Sequence, residues 1–436
     1  MRIPLRALAL GSISLCLAAQ ERPLAFTHAR LLTMEGAEIP DGTLVVHRGK
    51  VVAAGKVAVP TGAEVRDVKG AWIMPGLVDS HSHVGSAEGA DGTAPLQPEV
   101  RVSDSLNLRS ATIMKARAGG ITSVNVMPGS GHLLSGQTIY LKLREGGTVD
   151  ELAMGRTPAG YLGGLKMANG TNPRRQGPQA PTFPGTRAKS AALVREQFIK
   201  AQEYLKKVKA AGGDASKLPE RNLGLEILGE VLEGKRVVHH HTHRHDDILT
   251  VLRLQKEFGF KVVLHHLSDG WMVADEIAKS GNPCSVIVID SPGGKLEAKD
   301  ARLTTGGVLE RAGVLVGFHT DDGVTDSRWF LRSAALAVRA GMSREGALKA
   351  MTINNAKLLG LEDRLGSLKA GKDADFILLS GDPFSVYTHV QETWVEGRRV
   401  FDRANPEQRK YATGGLGASH DTADPTWILA LEAEEL

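Results

Sequence analysis

Between residues 75 and 366 short apolar runs alternate with amphipathic stretches, and this alternation narrows the fold more than any other feature of the chain. The runs span residues 77–83, 121–127, 138–143, 160–167, 236–241, 261–266, 285–289 and 314–320. Short, nearly continuous apolar runs read as strands buried on both faces. Helical stretches at 188–211, 246–258, 271–279, 328–340 and 344–352 separate the later ones. The pattern predicts an α/β protein built on a parallel (β/α)8 TIM barrel.

The ends of the chain read differently. Residues 24–34, 43–54 and 63–74 are β-rich and turn at Arg48-Gly49 and Lys69-Gly70; residues 373–380 and 390–401, the latter bent at Gly397, repeat that habit. A small β-sandwich domain assembled from residues 21–74 and 367–411 is expected, flanking the barrel at 75–366, with a loose C-terminal extension over 412–436. At the start, Arg2 and Arg6 precede an apolar run closing in small residues, the pattern of a secretory signal peptide over residues 1–20, cleaved after Ala18 or Ala19. That run is too short for a stable membrane span, and Leu15 before Cys16 is poor for lipoprotein processing, so an exported, periplasmic or secreted protein is expected. The mature chain then keeps only Cys284, set among apolar residues as a buried strand cysteine. The net charge of +4 is small and spread without a basic run, which gives no footing for nucleic acid.

Histidines cluster where such a barrel places its chemistry, at the C-terminal ends of strands. In His81-Ser-His83, alternation turns both imidazoles to one face, where they can share a metal ion. Asp79 has the same parity and is a candidate to orient an imidazole N–H. The run His239 to His245 closes the fifth strand, His265-His266 the sixth, and His319-Thr-Asp321-Asp322 the eighth. One histidine at a strand end is ordinarily a core or surface residue, but this convergence points to metal chemistry. Alternation sets His241 and His243 on one face opposite His240, and turns His265 away from His266; which of the last two is a ligand stays open.

These residues resemble the amidohydrolase superfamily, close to imidazolonepropionases and metal-dependent prolidase-like dipeptidases. The resemblance rests on Pro75-Gly-Leu-Val-Asp-Ser-His-Ser-His83, Ala118-Gly-Gly-Ile-Thr-Ser123, Lys166 before Asn172-Pro-Arg-Arg175, His241-Thr-His243, His265-His266, Thr320-Asp321-Asp322 and Gly366-Ser-Leu-Lys-Ala-Gly-Lys-Asp-Ala-Asp375. It implies that His81 and His83 hold one ion, His241 and His266 a second, and that Asp321 ligates the first and serves as the catalytic base, with His243 as a further catalytic candidate. Lys166 falls where many relatives carry a carbamylated lysine bridging two metals. One or two Zn²⁺ ions are the implied cofactor, with Mn²⁺ or Fe²⁺ as alternatives.

Two departures bear on substrate binding. His132 stands where relatives' pattern places an asparagine, and could reach substrate from a glycine-rich loop. Arg174 and Arg175, in a long Pro/Gly-rich loop, could hold a substrate carboxylate. The sequence therefore predicts hydrolysis of an amide or peptide C–N bond in a small substrate by an activated water and an aspartate base. Cyclic-amide hydrolysis or deamination is the alternative within enzymes, and a non-catalytic exported metal binder the alternative outside them. A homo-oligomer is compatible with either.

Overall fold

The computed structural model describes residues 22–85, 91, 93–158, 160–174, 183–288, 295–414 and 418. The expected signal peptide, Arg175 and all but the first few residues of the C-terminal extension lie outside them. The fold is mixed α/β. Its strands are β1 (Leu24–Leu31), β2 (Ile39–His47), β3 (Lys50–Gly55), β4 (Glu64–Asp67), β5 (Trp72–Pro75), β6 (Leu77–Ser82), β7 (Ile121–Val126), β8 (Leu134–Gln137) and β9 (Ile139–Lys142). A short pair, β10 (Arg156–Thr157) and β11 (Gly160–Tyr161), precedes β12 (Leu165–Ala168), β13 (Val238–Thr242), β14 (Val262–His266), β15 (Cys284–Ile287), β16 (Val316–His319), β17 (Phe376–Leu379), β18 (Val390–Val395) and β19 (Arg398–Asp402).

Both ends of the chain enter one eight-stranded sheet, ordered β19-β18-β17-β5-β1-β2-β3 with β4 beside β1. The join is the antiparallel pairing of β5 with β17, Pro75 opposite Phe376. In a flat sheet β1 and β18 would stand roughly 14 Å apart, three spacings of about 4.8 Å. The rings of Phe26 and Trp394 are nevertheless 5.3 Å apart, and both pack on Phe376. The sheet is therefore folded over on itself around an aromatic core, and Arg66 on β4 closes the open side with a bidentate pair to Glu392 at 2.6 and 2.5 Å. The expected sandwich is one continuous folded sheet.

The chain passes straight from β5 through Gly76 into β6. A side chain at Gly76 would meet Thr122 at 2.2 Å, which explains the glycine in this turn. Strand β6 belongs to a three-stranded sheet, β6-β7-β9, and the remaining central strands to a six-stranded one, β16-β15-β14-β13-β12-β8. Every run expected to be a strand contains one, though not all are parallel. The run 138–143 appears as β9, antiparallel to β7, and β8 just before it is antiparallel to β12. Residues 127–133, which join β7 to β8, contain no helix, and a chain returning without a crossover of a dozen or more residues must run antiparallel.

The edges β6 and β16 are tied by a bridging side chain and by one backbone bond beyond their ends. Asn355 Nδ2 donates to the carbonyls of both Val78 and Phe318, at 2.5 and 2.6 Å, and the Asp321 N–H donates to the His81 carbonyl at 3.0 Å. Helices cover the outside. The helix Arg187–Ala210 starts where the Thr186 hydroxyl accepts from the Lys189 N–H, and its Phe198 stacks on Phe258 and Phe260, each 5.1 Å away. No helix among the described residues is long and apolar enough to cross a membrane.

A buried ammonium links the two sheet systems. Lys142 on β9 lies 2.6 Å from a carboxylate oxygen of Asp373 and 2.6 Å from one of Asp375. Burial works against both carboxylates. Asp373, which Lys50 and Arg364 also reach, is still held down to about 2, while Asp375 is pushed up.

Candidate metal centre

Strands β6, β12, β13, β14 and β16 bring His81, Lys166, His239, His241, His265, His266 and His319 together, and the residues just beyond the strand ends add His83, His243 and Asp321. Simple alternation predicts that His265 and His266 part company. They do not: the rings of both lie close to that of His81, at 5.0 and 4.9 Å. The reason is a left-handed backbone at His266 and Leu267, with φ of 75° and 58°, which ends the pleat and turns His266 back inward. Asp321, at φ 50°, is turned the same way.

The outer group comprises His81, His83, Asp321 and Lys166. Oδ1 of Asp321 stands 3.0 Å from Nε2 of His83 and 3.1 Å from Nε2 of His81. Nδ1 of His83 donates to the Met127 carbonyl at 2.8 Å, so the His83 proton sits on Nδ1 and Nε2 offers a lone pair. Nζ of Lys166 lies 2.9 Å from that same Nε2 of His81. A neutral imidazole nitrogen cannot both accept from an ammonium and donate to a carboxylate, so these atoms converge as ligands do rather than as a satisfied hydrogen-bond set. Burial lowers Lys166 to about 7 despite the nearby Asp321. Burial also opposes the charge on Asp321, but the imidazoles gathered around it, His81 and His266 first, hold the carboxyl well below its ordinary range.

The inner group is His241, His243 and His266, whose ligand-capable nitrogens all lie within 4.8 Å of one another. Burial holds His241 and His266 well below the ordinary imidazole range and His243 down to about 3, so all three are neutral. Both nitrogens of His241, and Nε2 of His243 and of His266, are buried without a hydrogen-bond partner. Each such atom costs about 1–3 kcal/mol unless something binds it. Neutral imidazoles with free, convergent nitrogens suit a divalent transition ion, so the donor set fits a metal. A further triad, His81, His265 and His319, is equally compact, but the rings of His81 and His319 stack at 14°, which sets their lone pairs side by side rather than converging.

Other residues singled out in the sequence fare differently. Asp79 orients no imidazole: its carboxylate accepts from the Thr320 N–H at 3.2 Å, the Thr320 hydroxyl at 2.5 Å and the His81 N–H at 3.2 Å, pinning backbone instead. Asp322 accepts from the Ser327 N–H, away from the centre. The described contacts place His132 near Asp91, whose carboxyl is lowered mainly by hydrogen bonds from Thr93 and to a lesser degree by His132, and the His132 carbonyl accepts from Ser135. Arg174 donates to the Gly185 carbonyl at 2.9 Å, across its own loop. Neither is brought to the histidines by any of these contacts. The sequence places His239, His265 and His319 at strand ends but assigns none of them a role, leaving only the choice between His265 and His266 open; alternation fails at His266, where the backbone turns left-handed.

Comparison with known proteins agrees with this geometry. A family model described as "Amidohydrolase family" matches residues 228–401. The crystal structure of an amidohydrolase from Thermotoga maritima MSB8 is similar at 35% identity, covering 87% of this chain and 100% of that one with a TM-score of 0.81. Amidohydrolase tasK of Hapsidospora irregularis is 26% identical over 392 residues, 83% of this chain but only 40% of that longer protein. An imidazolonepropionase of Shewanella oneidensis is 26% identical over 380 residues, covering 81% of this chain and 87% of its own. With a relative this similar along its whole length, and a histidine, lysine and aspartate centre at the strand ends, the chain belongs to the amidohydrolase superfamily.

Proposed function

We propose that the carbon–nitrogen bond hydrolysed by this metal-dependent enzyme is an amide or peptide bond of a small substrate, and that Asp321 is its base. The observation that carries the reading is the placement of Asp321 against His81 and His83, beside an inner group of imidazoles with free nitrogens. In this reading His81, His83 and Asp321 would hold one divalent ion, His241 and His266 a second with His243 beside them, and a carbamate on Lys166 would supply anionic oxygens to them. Zn²⁺ suits the mixed nitrogen and oxygen donors, as do Mn²⁺ and Fe²⁺.

When bound, such ions supply Lewis acidity that acidifies the attacking water toward a pKa of about 7 and polarises the scissile carbonyl. The chain's residues do the rest. Asp321, held anionic, accepts the proton of the attacking water and passes it to the departing nitrogen. Its left-handed backbone and the Asp79 contacts to Thr320 and His81 fix the carboxylate against the histidines, so little reorganisation is needed at the moment of reaction. Lys166 lies buried, and an uncharged amine there is the form that takes up carbon dioxide.

The same reading takes the two central sheets as a closed eight-membered barrel whose third strand is reversed. Its supports are the run β8–β9, interrupted only at Thr138 and paired on both sides, and the bonds between β6 and β16. It also takes the protein as exported. Arg174 and Arg175 stay as candidates for a substrate carboxylate, with Arg174 giving up Gly185 on binding, and His132 as a candidate contact.

Cyclic-amide hydrolysis in the manner of an imidazolonepropionase, or deamination, uses the same water and base with a different pocket. Purified protein supplied with Zn²⁺ or Mn²⁺ should be assayed against dipeptides, N-acyl amino acids, cyclic amides and aminated purines. Turnover of the first two classes supports the proposal; turnover confined to the others moves the substrate to them. Metal bound without turnover of any class, and bound equally by a peptide spanning His239 to His245, would make the protein a metal carrier.

A further inference from the structure

Behind His266 runs a line of buried polar side chains, His319, Ser285 and Ser80, to which neither the family resemblance nor the proposed reaction assigns a role. Nδ1 of His266 is 3.3 Å from Nε2 of His319. Nδ1 of His319 is 2.8 Å from the Ser285 hydroxyl, which is 2.7 Å from the Ser80 hydroxyl. Ser80 in turn reaches the Phe318 carbonyl at 3.4 Å. All four side chains are buried, and Asp321, 3.9 Å from the same His266 nitrogen, is beyond hydrogen-bond reach of it.

The direction of the protons along this line decides what His266 offers at its other end. A carbonyl only accepts, so Ser80 donates to Phe318, Ser285 to Ser80, and Nδ1 of His319 to Ser285. His319 Nε2 is then an acceptor, and it takes the proton of His266 Nδ1. His266 Nε2 is left with a lone pair. Run in reverse, the line loses the Ser80–Phe318 bond and gives His266 Nε2 a proton, stranding a buried N–H that has no acceptor. Orphaned N–H groups are rarer in proteins than under-used acceptors, so both ends favour the forward direction.

We propose that His319, acting through Ser285 and Ser80, is a positioning residue that locks His266 in the Nδ1-protonated tautomer and so aims a free Nε2 at the ion held with His241 and His243. The inference rests on the reading of the inner group as a metal site. Partners that fix a ligand imidazole in this way typically change metal affinity 10–100-fold.

The test begins on the metal-free wild-type protein, labelled with ¹⁵N-histidine, by long-range ¹H–¹⁵N correlation. His266 protonated on Nδ1 with Nε2 bare supports the proposal; a proton on Nε2 overturns it. His319→Leu removes the acceptor and should weaken the second equivalent of Zn²⁺ by roughly 10–100-fold in chelator competition, leaving the first unchanged. His319→Gln, whose amide can accept from His266 and donate to Ser285, should restore most of that affinity. Equal second-ion affinity in wild type and His319→Leu overturns the proposal. If the leucine variant misfolds, Ser285→Ala carries the test: a mixed His266 tautomer with weaker second-ion binding supports it, and an unchanged spectrum and affinity sink it. A wild-type protein that takes up only one ion defeats the two-ion reading, while the metal-free spectrum still decides the tautomer.

Discussion

Oδ1 of Asp321 lies 3.0 Å from Nε2 of His83, so the residue just past the edge strand of one central sheet meets the residue just past the edge strand of the other. In the proposed reading a carboxylate held there would serve as ligand and base together, and an amide could do only part of the first. Asp321→Asn is expected to keep the fold and at least one ion while kcat falls by roughly 10²-fold or more. Asp322→Asn, changing a side chain that caps Ser327 instead, is expected to alter kcat little. The opposite ranking, at equal metal content and Tm, would make Asp322 the base.

In the proposed reading Lys166 would govern how many ions stay. Because burial brings it down to about 7, a neutral amine is available near physiological pH to form a carbamate. Lys166→Ala should lose metal, by elemental analysis, and regain part of it when a small carboxylate such as formate is supplied. A fully active enzyme with one tightly held ion and an unmodified Lys166 would reduce the centre to a mononuclear one.

Lys142 should matter for stability rather than activity. Lys142→Met leaves two buried carboxylates without their shared cation, a change that costs about 3–5 kcal/mol. Urea denaturation at neutral pH measures it. A loss near the scale of a surface pair, about 1 kcal/mol or less, would mean that Lys50 and Arg364 suffice.

The same cluster sets an acid limb. Asp373 is held at about 2, below its ordinary value, so through that window the unfolded chain binds more protons than the folded one. Its stabilisation is complete above the ordinary carboxylate pKa and is lost as pH falls toward 2. Asp375, pushed up, acts with the opposite sign, its contribution fading as pH rises through its own pKa. Asp373→Asn should therefore flatten stability against pH on the acid side. An acid limb as steep as in the wild type would assign it to other carboxylates.

Export is checked by N-terminal sequencing of protein recovered outside the cytoplasm, with a start near residue 19 or 20 expected. Retention of Met1 in that fraction would refute it.

Much of this was readable from residues alone. The strand runs and the pairing of both chain ends in one β unit follow from local pattern, because buried strands leave local marks, and so does the gathering of histidines at the strand ends. Strand direction did not, since 138–143 has the composition of its parallel neighbours and only the missing helix before it signals reversal. The inward turn of His266 was hidden too: alternation assumes an extended backbone, and the left-handed residue that breaks it is a histidine, not a glycine. The role of His319 stayed hidden because its partners, Ser80 and Ser285, lie far from it in the chain, and nothing in the local pattern links the three.

The pairing of β5 with β17 has a consequence for how this protein is made. Phe26 leaves the ribosome some 350 residues before Phe376 and 368 before Trp394, the rings it packs against. At about 5–20 residues per second, the interval between Pro75 and its partner Phe376 is roughly 15–60 s. Throughout it, β5 presents an unpaired edge and the N-terminal sheet a half-built apolar face, the kind of surface that aggregates or recruits a chaperone. Protease resistance of β1–β5 in stalled nascent chains should arrive abruptly, once Val395 has cleared the exit tunnel, and not by degrees.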